Sequence, residues 1–215
     1  MYRSGSTKLY NILRETLVIQ NPNSNFGHYP AVQDFVDVVK KGGALLLKQH
    51  DLPDDVISSI KQGDVKVIIT IRNPMEAMVS LCSTFGYTPE EAVAATEQAI
   101  KYAEQVGKFA HIFRYETATS SNPWTIRRYL QLLGLRVSMF ELTRLSFKYN
   151  RRNSRQISRS VQGESGTSWD NETLFHPDHI GEKRRVDEDV ANALRAAISG
   201  RSFNERLLNL DKYAI

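Results

Sequence analysis

Val65-Lys66-Val67-Ile68-Ile69-Thr70-Ile71-Arg72-Asn73-Pro74 is a stretch dominated by β-branched residues that ends in a cation and a proline. β-Branched side chains suit a pleated, buried strand. Pro74 suits the first turn of a helix, where its missing N–H costs nothing. The stretch therefore reads as a strand over Val65–Ile71, Arg72 at its carboxyl end, and a helix from Met75 to Cys82. Ala44-Leu45-Leu46-Leu47, a short apolar run, reads as a second strand buried on both faces, and Phe109 to Phe113 as a third.

The segments between these strands carry apolar residues at helical spacing. Helices are predicted over Leu9–Leu17, Ala31–Lys41 (ended by Gly42-Gly43), Pro89–Gln105, Trp124–Leu133, Ser138–Phe147, Asp187–Ile198 and Ser202–Leu210. Asp51-Leu52-Pro53-Asp54 signals a further helix start. Asn21-Pro22-Asn23-Ser24-Asn25 is a polar loop. Strands alternating with helices predict an α/β fold whose central, mostly parallel sheet is flanked by helices. Residues 1–215 are expected to form a single domain. From Asn150 to His179 no period emerges, and residues 141–185 are expected to be a loop or lid region.

With 215 residues and 41% hydrophobic side chains the chain can bury a genuine core. Cys82, the single cysteine, excludes an internal disulfide framework, points to a reducing, cytoplasmic setting, and reads as a small buried hydrophobe. No apolar run is long enough to span a membrane. The net charge of +4 is compatible with an anionic cofactor or substrate. Arg144, Lys148, Arg151, Arg152, Arg155 and Arg159 fall in one stretch without an acidic residue, which reads either as a solvated connection or as a rim attracting polyanions.

Four short segments fall at or just after predicted strand ends or helix starts, where ligands bind in open α/β sheets. Arg3-Ser4-Gly5-Ser6-Thr7 can wrap an anion with backbone N–H groups, hydroxyls and the dipole of the following helix, or can simply cap that helix. Lys48 and His50, two apart, place a cation beside a potential general base; the alternative is a solvated surface turn. Arg72 with Ser80, eight residues on, can clamp a phosphate, or can make a salt bridge and a helix-serine back-bond instead. Arg114-Tyr115-Glu116 closes the third strand. His111 reads as a packed strand residue, and His176 and His179 lack the partners a metal site needs.

Jointly these segments resemble the cytosolic-type and bacterial sulfotransferase family, which uses 3′-phosphoadenosine 5′-phosphosulfate (PAPS). The likeness runs from Arg3 to about Leu135. Arg3-Ser4-Gly5-Ser6-Thr7 is similar to the family's 5′-phosphosulfate loop, although Tyr2 stands where proline is usual and the sequence opens at this loop without the family's preceding strand. Lys48-Gln49-His50 resembles its Lys-Thr-His, and Arg72-Asn73-Pro74 with Ser80 resembles its 3′-phosphate clamp. Arg114-Tyr115-Glu116 resembles its Arg-Tyr-Glu-Asp segment, with Thr117 in place of Asp. Lys183 and Arg184 stand in the region of its C-terminal phosphate loop, without that loop's tryptophan.

The resemblance implies a three-layer P-loop-like fold and transfer of a sulfuryl group from PAPS to a hydroxyl or amine on a small-molecule or carbohydrate acceptor. It implies His50 as base, with Lys48 and Arg3 stabilising the transferring group. Arg3, Ser4, Gly5, Ser6, Thr7, Arg72, Ser80, Tyr115, Lys183 and Arg184 would bind the nucleotide. Neither a metal nor a nucleic acid is expected as partner. Two other readings stand beside it: a catalytically impaired, sulfotransferase-like module that binds polyanions, and a P-loop nucleotide kinase, against which the missing Walker pattern counts.

Overall fold

The computed structural model describes residues 6–27, 44–118, 122–160, 173–175 and 187–210. The fold is α/β and mostly helical, with two parallel, two-stranded sheets among these residues. The chain divides into two compact units: residues 1–4, 50–117 and 182–215 form one, and residues 5–49 and 118–181 the other. The expected helix Ala31–Lys41 and its Gly42-Gly43 stop lie outside the described residues.

In the second of these units, helix α1 (Ser6–Gln20) buries Leu9, Tyr10, Ile12 and Leu13 and packs on strand β2 (Leu45–Leu47). Strand β1 (Asn25–Gly27) pairs with β2 in parallel, Phe26 opposite Leu46, so the polar segment expected to be a loop runs directly into a strand. Helices α6 (Pro123–Leu132) and α7 (Met139–Lys148) pack together, with Ile126, Leu130, Leu142 and Leu145 buried. A Ser138/Glu141 capping box starts α7 and satisfies two backbone donors reciprocally. Helix α8 (Arg151–Ser160) follows where the aperiodic reading expected a loop. Its buried positions are Ser154 and Ser158, so it has no apolar stripe for a periodicity search to find.

The other unit starts with helix α2 (Asp54–Gln62), closed by Gly63 in the left-handed region at φ 86°. Strand β3 (Val67–Ile71) pairs in parallel with β4 (Ala110–Arg114), Ile71 opposite Arg114. Between them run α3 (Pro74–Phe85) and α4 (Pro89–Val106), each begun by a capping side chain with proline at its first turn. A short helix α5 (Tyr115–Ala118) continues from β4. Helices α9 (Glu188–Ala197) and α10 (Phe203–Leu210) complete a core in which Ile71, Met78, Leu81, Ile100, Ile112 and Leu194 are sealed from water. Burying a side chain of that size stabilises a fold by about 1.5–3 kcal/mol. Cys82 is half-buried against this core, and burial pushes its thiol above the ordinary value. His111 sits half-buried in β4.

Candidate functional site

The unit containing α1 brings Thr7 and Lys48 together. Lys48 follows the carboxyl end of β2, and its backbone N–H donates to the Gly27 carbonyl at 3.2 Å, fixing the side chain's point of departure. The ammonium, buried with its side chain, donates to Thr7 Oγ1 at 2.9 Å. Thr7 is the second residue of α1 and is buried as well. A lysine head therefore lies in the first turn of a helix, where the backbone N–H groups already carry partial positive charge. Both features attract an anion to the same place. Burial also pushes the neighbouring Lys8 ammonium below its ordinary value, because desolvation penalises its charged form. Ser6 opens the helix and is half-buried; Arg3, Ser4 and Gly5 lie outside the described residues.

The other unit gathers a different set at the carboxyl ends of β3 and β4. The register that places Ile71 opposite Arg114 brings the next residues, Arg72 and Tyr115, together. The guanidinium lies 4.8 Å from the Tyr115 ring centroid, a cation–π contact. It also donates to Glu76 Oε2 from Nη2 at 2.7 Å and from Nε at 3.1 Å. Glu116 reaches back from α5 and accepts from the Asn73 N–H at 2.6 Å, while Asn73 Oδ1 caps α3 by accepting from the Glu76 N–H at 3.2 Å. Ser80 is half-buried one helical turn beyond Glu76, so Glu76 and Ser80 share a face of α3 that starts below Arg72. Arg114 instead donates to the Leu207 carbonyl at 3.4 Å.

His50, the predicted base, is half-buried two residues after Lys48, with Nδ1 shielded from solvent. Lys183, Arg184, His176 and His179 lie outside the described residues. Among the described residues no three His, Cys, Asp or Glu side chains form a metal-binding group, and no helix is long and apolar enough to cross a membrane.

Two features escaped the sequence reading. The first is a partner: Arg72 makes the salt bridge that was one of its two readings, and makes it with Glu76. The reading did not name Glu76, although four residues along the following helix is the spacing at which such pairs meet. The basic stretch is also less isolated than its composition implies. Lys148 and Arg144 reach Glu15 of α1 at 2.6 and 3.6 Å, and the buried Tyr149 hydroxyl donates to the same carboxylate. Those partners are more than a hundred residues apart, so no local signal reveals them. No family model, curated protein or solved structure matches this chain.

Proposed function

We propose that the chain is a PAPS-dependent sulfotransferase acting on a hydroxyl or amine acceptor. The observation that carries this reading is the buried Lys48 ammonium, 2.9 Å from Thr7 Oγ1 in the first turn of α1. It pairs a cation with a helix N-terminus, the arrangement a 5′-phosphosulfate needs. The resemblance in Arg3-Ser4-Gly5-Ser6-Thr7, Lys48-Gln49-His50 and Arg72-Asn73-Pro74 supports the choice of nucleotide. The same reading carries the finer fold proposal, a three-layer P-loop-like arrangement with a central sheet.

This reading assigns the two ends of such a nucleotide to two sets of residues. Thr7 and Lys48, with Arg3, Ser4, Gly5 and Ser6, would hold the 5′-phosphosulfate end. Arg72, braced on Tyr115, would hold the 3′-phosphate together with Ser80, and Lys183 and Arg184 would add charge there. PAPS, when bound, supplies the sulfuryl group that is transferred in line to the acceptor. His50 takes the proton of the acceptor hydroxyl or amine, and Lys48 and the N–H groups of α1 stabilise the negative charge that grows on the 5′-phosphate side.

A thermal-shift panel tests the reading. At about 100 times its dissociation constant, 3′,5′-adenosine bisphosphate should raise Tm by about 5–10 °C, and ATP with Mg²⁺ should not. His50→Ala should lower turnover by about 10²–10⁴-fold while keeping the nucleotide shift. A shift with ATP–Mg²⁺ alone would favour a kinase. No shift with either nucleotide would favour a polyanion-binding module.

A further inference from the structure

Helices α6 and α7 leave an aromatic surface in solvent. Trp124 is 63% exposed, Phe140 80% and Phe147 70%. Phe140 and Phe147 are two turns apart on α7 with the exposed Arg144 between them, so they occupy one face. Trp124 is tied to the start of that helix through Arg127, whose guanidinium lies 5.7 Å from the indole centroid and whose Nη1 contacts Met139 Sδ at 3.6 Å. The exposed Val18 and Ile19 end α1 nearby, since the adjacent Gln20 side chain donates to the Arg136 carbonyl in the α6–α7 connection. Monomeric surfaces rarely leave large apolar side chains gathered in this way without a use for them.

The charge around this patch is predominantly positive. Residues 123–160 contain nine Lys or Arg and one acidic residue, Glu141. Glu15 offsets part of that charge through Lys148 and Arg144, whereas Arg128 and Arg152 are exposed. Aromatic rings projecting among arginines match the level of a bilayer where acyl chains meet anionic headgroups. A single-stranded nucleic acid, the other polyanion with apolar faces, stacks successive bases on neighbouring rings. Phe140 and Phe147 stand about 10 Å apart along the helix axis, by the rise of about 1.5 Å per residue, which is too far for adjacent bases. Val18 and Ile19 offer no stacking face at all.

We propose that the face formed by Trp124, Phe140 and Phe147, with the surrounding arginines, docks the protein on an anionic lipid surface. This inference stands independently of the nucleotide reading. The test is co-sedimentation of the full chain with vesicles of phosphatidylcholine alone and with about 30% phosphatidylserine, in low and moderate salt. Binding should require phosphatidylserine and fall as salt rises. Arg128→Gln, one turn from Trp124 on α6, should weaken it by about fivefold, the loss expected for one basic residue. Phe140→Ser with Phe147→Ser should weaken it by at least about tenfold at an unchanged circular-dichroism melting curve. In a Trp169→Phe background, Trp124 emission should shift to the blue on phosphatidylserine vesicles. Equal sedimentation with both vesicle types, or none, would overturn the proposal. So would Phe variants that weaken binding to a single-stranded oligonucleotide while leaving vesicle binding intact.

Discussion

Glu76 holds the guanidinium of Arg72 while leaving 58% of its own side chain in solvent. A pair so exposed contributes about 0–1 kcal/mol, and a phosphate dianion can compete for the same fork. Under the proposed function, Glu76→Gln should tighten binding of 3′,5′-adenosine bisphosphate by about two- to fivefold, because the competing carboxylate is gone. Calorimetry checks this, and unchanged affinity would make the Arg72–Glu76 pair a purely structural contact. Glu15 is the opposite case. Burial raises its carboxyl, but hydrogen bonds from Lys148 and Tyr149, with the charges of Lys148 and Arg144, outweigh it and hold the carboxyl below its ordinary value. Burial and that carboxylate together push the Tyr149 phenol upward. A carboxyl depressed by folding stabilises the fold above its unfolded pKa, and that contribution disappears as pH falls through the folded value. Glu15→Gln should therefore cost about 1–2 kcal/mol at neutral pH. The deficit should shrink toward zero as acid protonates the wild-type carboxylate, which urea unfolding at several pH values measures. A deficit independent of pH would contradict this account.

Elements were legible where their ends are written in local chemistry. Asn73-Pro74, Thr88-Pro89 with Glu91, Asn122-Pro123, and Ser138 with Glu141 each combine a capping side chain with a first-turn proline or a reciprocal glutamate, and a helix starts at each. Ser138→Ala removes one such cap and should lower stability by about 1 kcal/mol in thermal or urea unfolding. No change would mean that packing of Leu142 and Leu145 alone holds the start of α7. Strand β1 was not legible, because Phe26 is its single large apolar residue and the preceding asparagines mimic a turn. Helix α8 was missed for a related reason: Ser154 and Ser158 are the residues it buries. The strand ends carrying Lys48 and Arg72 followed from apolar runs that stop at a cation. The contacts those cations make depend on Thr7 and Tyr115, which are 41 and 43 residues away in sequence, and periodicity carries no information about them.

At the scale of the whole molecule, the chain passes between its two units beside the predicted motifs, between Gln49 and His50 and again between Thr117 and Ala118. That division rests on long-range packing, and no proline- or glycine-rich linker announces it in the sequence. The parallel pairing of β3 with β4 was legible, since apolar strands separated by helices favour a crossover connection between parallel neighbours, whereas the pairing of β1 with β2 was hidden with β1 itself. The proposed function asks the Lys48 and Arg72 constellations to bind different phosphates of one nucleotide. Isothermal titration of 3′,5′-adenosine bisphosphate and of 5′-AMP against the wild type, Lys48→Ala and Arg72→Ala tests that demand most directly. The wild type should prefer the bisphosphate, Arg72→Ala should abolish the preference, and Lys48→Ala should weaken both ligands by at least about tenfold. Equal wild-type affinity for the two ligands, or affinities that neither substitution changes, would contradict it.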